Sequence, residues 1–183
     1  MKWFILSDIH GSEYWCKKAL ERYRDENCRR ILLLGDILYH GPRNDLPEGY
    51  NPKGVIALLS AKKDSVLCVR GNCEAEVDQM VLPFPVMADY IAIESGDRVI
   101  FATHGHKYDK NNSLPMCRGD VMLSGHTHIP DCTEKDGKYY LNPGSVSLPK
   151  EGSRHSYMIY EDGEFWWKDL SGETYMTLKL PRM

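Results

Sequence analysis

No run in this 183-residue sequence is apolar for long enough to cross a membrane, and the stretch near its start, Trp3-Phe4-Ile5-Leu6, is too short for the apolar core of a secretory signal. A cytoplasmic protein is therefore expected. The six cysteines (Cys16, Cys28, Cys68, Cys73, Cys117 and Cys132) include no Cys-x-x-Cys pair. They fit reduced thiols, most of them small buried hydrophobes, better than a disulfide frame or a thiolate zinc site. Internal repeats, low-complexity tracts and Ser/Gly linkers are missing too, so residues 1–183 read as one domain. Positive charge is not in excess: 23 Lys+Arg stand against 26 Asp+Glu, a formal −3 with a pI near 6.2. That balance speaks against a broad basic surface for gripping nucleic acid. A homo-oligomer is compatible with all of this.

What the sequence does contain is a regular alternation. Apolar runs at Trp3–Leu6, Ile31–Leu34 and Val66–Val69 predict strands, separated by helical patterns from Ser12 to about Glu26 and from Pro52 to about Lys62. Strands alternating with helices imply βαβ units and a buried parallel sheet. In the first helix Cys16, Ala19, Leu20 and Tyr23 make one apolar stripe behind a Ser12 cap, and Lys17, Lys18, Glu21, Arg22 and Arg24 a solvated face.

The second half predicts strands at Tyr90–Ile93, Val99–Thr103, Val121–Leu123, Tyr139–Leu141, Ser156–Tyr160, Glu164–Trp167 and Tyr175–Leu180. Asp136-Gly137 and Asp162-Gly163 supply hairpin turns. Adjacent Trp166 and Trp167 must face opposite sides of their strand, one toward the core and one toward a surface or interface. A parallel-leaning half followed by an antiparallel-leaning half suggests two sheets packed face to face with helices outside.

Five polar clusters each follow an apolar run directly: Asp8-Ile9-His10, Gly35-Asp36, Gly71-Asn72-Cys73-Glu74, His104-Gly105-His106 and Gly125-His126-Thr127-His128. Functional groups in α/β sheets gather beyond the carboxyl ends of strands, so five such ends can converge on one pocket. Five of the seven histidines lie in these clusters, leaving His40 and His155 outside. Taken singly, an Asp-x-His or a His-x-His is more often a hydrogen-bonded pair than a metal site. Together they supply carboxylate, imidazole and amide groups suited to borderline and hard divalent metals.

In order, Asp-x-His, Gly-Asp, Gly-Asn, His-Gly-His and Gly-His-Thr-His resemble the signature of the calcineurin-like metallophosphoesterase superfamily. With His40-Gly41-Pro42-Arg43-Asn44, Arg70-Gly71-Asn72-Cys73-Glu74 and Asn142-Pro143-Gly144-Ser145-Val146-Ser147, the chain is similar to the small bacterial YfcE-type phosphodiesterases over nearly its whole length. The resemblance implies an α/β fold, a four-layer αββα sandwich of two mixed sheets flanked by helices. It also implies two divalent metal ions, commonly manganese, with iron, nickel or zinc compatible with the residue types. One ion would be held by Asp8, His10, Asp36 and His128, the second by Asp36, Asn72, His104 and His126, with Asp36 bridging. The expected activity is hydrolysis of a small phosphodiester by in-line attack of hydroxide generated at the two metals. The runner-up readings are a phosphomonoesterase or nuclease on the same site, or a non-catalytic protein-binding scaffold of the retromer small-subunit type.

One departure stands out. Many family members carry a histidine directly after Gly-Asn, where it serves the leaving group, whereas this chain has Cys73, a poorer acid. His106 and His40 are the other candidates for that role, each weighed against simply orienting a metal ligand. Arg43 reads as part of a turn before it reads as a phosphate ligand, as does the Asn142-Pro143-Gly144 loop before it reads as support for a metal centre. Glu74 is expected to cap the short helix after it, and His155 to lie at a surface or strand edge.

Overall fold

The structure, a computed structural model, describes residues 1–181. Strands β1 (Trp3–Leu6), β2 (Arg30–Leu33) and β3 (Val66–Cys68) pair in parallel, with α1 (Glu13–Asp25) and α2 (Pro52–Ser60) as the crossovers. Ser12 caps α1, its hydroxyl accepting from the Trp15 amide at 3.2 Å, and Asn51 caps α2. The stripe expected on α1 does face the sheet: Cys16 and Ala19 are buried against Phe4, Leu6, Ile31 and Leu33, with Leu20 and Tyr23 at its margin.

The middle of the chain forms a second sheet from β4 (Tyr90–Ser95), β5 (Arg98–Thr103), β6 (Val121–Leu123), β7 (Pro130–Lys135) and β8 (Lys138–Pro143), in the order β4-β5-β6-β8-β7. The last three strands, β9 (Ser156–Glu161), β10 (Glu164–Asp169) and β11 (Thr174–Lys179), return to the first sheet, whose order is β11-β10-β9-β1-β2-β3. Parallel and antiparallel pairing therefore do not divide between the halves of the chain. Antiparallel β9 joins β1 in the first sheet, and β6 pairs in parallel with both its neighbours in the second. The two Asp-Gly turns fall where expected, with both central residues at positive φ: Asp136 at 56° and Gly137 at 73°, Asp162 at 49° and Gly163 at 86°.

The faces of the sheets explain the layering. Ile5, Leu32, Met158 and Trp167 point from the first sheet at Ile100, Val121, Leu123 and Leu141 of the second, forming one apolar inter-sheet core. Each such buried side chain contributes about 1.5–3 kcal/mol. Trp167 is fully buried there, its indole N–H donating to the Asn142 carbonyl at 2.7 Å. Trp166 packs at the margin of the helix-side core, so the second ring too is used within the chain. The fourth layer is an irregular segment: Leu114 and Met116, between β5 and β6, cover Met122 and Tyr140 on the outer face of the second sheet. The helices lie with the first sheet.

Three of the six free cysteines, Cys16, Cys28 and Cys68, are buried as expected; Cys73 is half-buried, and Cys117 and Cys132 are exposed. Among the described residues no helix is long and apolar enough to cross a membrane.

Candidate metal centre

The loops leaving β1, β2, β3, β5 and β6 meet at one edge of the sandwich, where backbone bonds lace them together. The Asp8 and His10 amides donate to the carbonyls of Gly35 and Asp36 at 3.2 and 2.9 Å, and the Gly125 amide donates to His104 at 2.8 Å. Asp8, His10, Asp36, His126 and His128 all adopt left-handed φ angles between 50° and 67°. Aspartate and histidine tolerate this region better than most residues, but each such residue still costs on the order of 1–3 kcal/mol. The strain turns their side chains inward. Gly71 and Gly125 permit the crowding: a Cβ at Gly71 would lie 2.1 Å from Asp36 Oδ1, and one at Gly125 would lie 1.8 Å from Ser7 Oγ.

The imidazoles are oriented by main chain. His10 Nδ1 lies 2.8 Å from the Tyr39 carbonyl, His104 Nδ1 2.6 Å from Leu34, and His128 Nδ1 2.6 Å from Leu148. A carbonyl only accepts, so each Nδ1 carries the proton and each Nε2 offers a lone pair in the neutral ring. Those Nε2 atoms converge. His10 and His128 Nε2 are 3.2 Å apart; Asp8 Oδ1 is 3.6 and 3.3 Å from them, and Asp36 Oδ2 is 3.6 Å from His10 and 3.5 Å from His104. Asn72 Oδ1 lies 3.1 Å from His104 Nε2. Asp8 Oδ1 is buried with no hydrogen-bond partner. Two acceptor nitrogens in contact, beside an unpartnered buried carboxylate oxygen, are unfavourable unless a cation or extra protons lie among them. The donor set suits a divalent ion.

Electrostatics say the same. His10 and His128 beside Asp8 hold its carboxyl well below the usual range, although burial alone would raise it. Burial opposes charge on His104 as well, but Asp36 and Asp8 outweigh it and lift its pKa to about 9. Below that value protons compete with a metal for the ring. Apparent affinity for a divalent ion is therefore expected to rise with pH up to about 9, with proton release on binding. Calorimetric titration in buffers of different ionisation enthalpy measures this, and a pH-independent affinity without proton release contradicts it.

His126 is half-exposed beside them, its ring centroid 5.1 Å from that of His104. It shares a cavity of about 350 Å³ with Asp36, Asn72 and His128. Of the residues considered for the leaving group, the Cys73 thiol lies within 4.8 Å of donor atoms of His10 and Asp36. His106 sits next to His104 and His126, with ring centroids at 5.4 and 6.3 Å. None of the three is in the cavity wall itself, and the His40 ring is held between Tyr39 and Tyr50.

Glu74 does not cap the short helix α3 (Glu76–Val81), where Asp78 accepts from the Ala75 amide instead. Its carboxylate turns inward, almost fully buried, and accepts from the amides of Asp36, Ile37 and Gly71, the first two at 2.9 and 2.7 Å. The helix cannot compete for it because three otherwise unpaired buried amides stand closer. The Asn142–Ser147 loop also proves to be a support. Ser145 and Ser147 hydroxyls both donate to the Asp8 carbonyl, at 2.8 and 2.9 Å, and Asn142 Nδ2 donates to the Gly125 carbonyl at 2.7 Å. His155 stacks on Trp15 at 3.7 Å and bonds the Val146 carbonyl, which places it behind this loop.

A family model for the calcineurin-like phosphoesterase superfamily domain matches residues 1–163. The chain belongs to that superfamily. Phosphodiesterase YfcE of Escherichia coli K12 is 42% identical to it over 162 residues, 88% of each chain. A solved structure of Yfce, a phosphoesterase from E. coli, superposes with a TM-score of 0.96 at 37% identity, covering 99% of this chain and 100% of that one. Vacuolar Protein Sorting 29 from Cryptosporidium parvum has a TM-score of 0.64 at 18% identity over 97% of each chain, a likeness of fold alone. Calcineurin-like phosphoesterases are metal-dependent hydrolases, and the buried Asp/His cluster is where this member would hold its divalent ions.

Proposed function

We propose that this metal-dependent phosphodiesterase cleaves small phosphodiesters at a binuclear centre, one cation held by Asp8, His10, Asp36 and His128 and the other by Asp36, Asn72, His104 and His126. The observation that carries the reading is the set of three Nδ1–carbonyl bonds, which leaves the Nε2 atoms aimed at two buried carboxylates. Asp36 stands between His10 and His104, where a shared anion offsets the repulsion of two cations. The mixed nitrogen and oxygen donors suit manganese, our first choice, and also iron, nickel or zinc. When bound, such ions supply Lewis acidity toward a phosphoryl oxygen and a hydroxide nucleophile at neutral pH. The chain's own part is to hold the donors in place and to shield all but one side from water. Free cysteines support a cytoplasmic setting, and we take residues 1–183 as a single catalytic unit.

The competing readings are weaker. A protein-binding scaffold has no use for converging Nε2 lone pairs and a partnerless buried carboxylate oxygen. A nuclease with a long groove is disfavoured by the net charge of −3.

Leaving-group chemistry narrows the substrate. Burial and neighbouring Asp36 push the Cys73 thiol far above its ordinary pKa, so it surrenders a proton poorly. Burial and the adjoining His104 and His126 push His106 down to about 4, leaving it uncharged at neutral pH. Neither group readily protonates an alkoxide. An aryl phosphodiester is expected to be hydrolysed about 10²–10⁴-fold faster than an alkyl analogue, the usual contribution of a general acid. A chelator should stop turnover and added Mn²⁺ restore it. Equal aryl and alkyl rates would reveal a competent acid, and turnover that survives the chelator would sink the metal reading.

A further inference from the structure

We infer that Arg43 and Lys150 form a two-armed anion clamp at the mouth of the candidate centre, selecting phosphodiesters that carry a second, non-scissile phosphate. The inference rests on the phosphodiesterase reading and specifies its substrate. Both residues line the same cavity as Asn72, His126 and His128, yet they come from separate loops, after β2 and after β8. Each stands on a built turn. The Asn44 amide donates to the Gly41 carbonyl at 3.4 Å and Asn44 Nδ2 to the His40 carbonyl at 2.8 Å, which fixes the 41–44 turn that carries Arg43. The Lys150 amide donates to the carbonyl of His128 at 3.3 Å, and Ser153 closes the turn with its hydroxyl on the Lys150 carbonyl at 2.7 Å.

Among the described residues neither cation has a carboxylate within ion-pair distance, although Asp45 and Glu151 are their neighbours in sequence. Other cations are unpaired too, but these two line the cavity beside Asn72, His126 and His128. The one acidic residue in the cavity wall, Asp36, is turned away to His10, His104 and the Cys73 amide. Two unpaired cations facing one cavity form a strong anion site: a guanidinium fork matches phosphate oxygens in pairs, and an ammonium adds a compact charge. The scissile diester carries a single negative charge and is served by the metal donors. A terminal phosphate, close to a dianion at neutral pH, matches what the two arms offer. The cavity, about 350 Å³, has room for a substrate larger than one phosphate group.

The test uses a matched pair of substrates that release the same phenol: thymidine 5′-(p-nitrophenyl phosphate) with and without a 3′-phosphate, assayed on the metal-loaded protein. The wild type is expected to favour the 3′-phosphorylated substrate by roughly tenfold or more in kcat/KM, the scale of one charge-assisted contact. Arg43→Met and Lys150→Met should each shrink that ratio, and the double variant should bring it close to one. In parallel, calorimetric binding of thymidine 3′,5′-bisphosphate should weaken in the double variant and depend less steeply on salt. No preference in the wild type, or an undiminished preference in the double variant, overturns the clamp while leaving the phosphodiesterase reading intact. Failure of the wild type to hydrolyse either substrate overturns that reading, and the clamp with it.

Discussion

Asp36→Ala is expected to lose bound metal and phosphodiester hydrolysis together, with turnover down on the order of 10³-fold or more, since metal stabilisation of a phosphoryl transition state is worth several kcal/mol. The side chain has no substitute. Its Oδ2 faces His10 and His104 from between them, and its Oδ1 accepts from the Cys73 amide at 2.9 Å. Removing it takes away the anion that balances both halves of the centre and frees the loop after β3. Asp36→Asn separates these effects, since the amide oxygen can keep the Cys73 contact while the charge is lost. Elemental analysis alongside aryl diester turnover reads the outcome. Full metal content with full activity in Asp36→Ala would exclude the binuclear arrangement.

The second large effect concerns folding. Glu74→Ala strips the acceptor from three buried amides, those of Asp36, Ile37 and Gly71. Each unsatisfied buried donor costs about 1–3 kcal/mol, so a loss of about 3–5 kcal/mol is expected once water and local relaxation offset part of it. Glu74→Gln retains one oxygen and should lose less. Because the freed amides flank Asp36, metal affinity should drop as well, by about 10–100-fold, as for other residues that orient ligands. Denaturant unfolding of the metal-free variants measures the first effect and metal titration the second. A Glu74→Ala protein as stable as the wild type would mean that the carboxylate is incidental.

These two residues show what could and could not be read from the sequence. Asp36 was legible because it follows an apolar run and belongs to an ordered series of polar clusters, each at a strand end. Glu74 was not, because its partners are backbone amides, which every residue has and which leave no trace in side-chain spacing. The same holds for Ser145 and Ser147, recognisable only as part of a motif until both hydroxyls are found on the Asp8 carbonyl. Lys150, in an unremarked loop, gave no local signal at all.

Among the elements, β1 to β3 and their crossover helices follow from apolar periodicity. Strand β7 escaped it: as a half-exposed edge strand opening on Pro130, it has neither alternation nor an apolar run. The return of β9 to β11 to the first sheet was equally hidden, because strand patterns specify which face is buried and not which edge is joined. The irregular fourth layer shows that the outer face of the second sheet needs apolar cover, which Leu114 and Met116 provide without a helix.

The carbonyls that orient His10, His104 and His128 belong to Tyr39, Leu34 and Leu148, and none of those side chains takes part in the contact. The centre is therefore insulated from the chemical identity of its nearest neighbours. Leu34 is fixed by its place in the inter-sheet core, but substitutions at exposed Tyr39 and half-buried Leu148 that keep the backbone path should be nearly silent for metal binding. Vulnerability is concentrated instead at Gly71 and Gly125, where a single added methyl group would collide with Asp36 or Ser7.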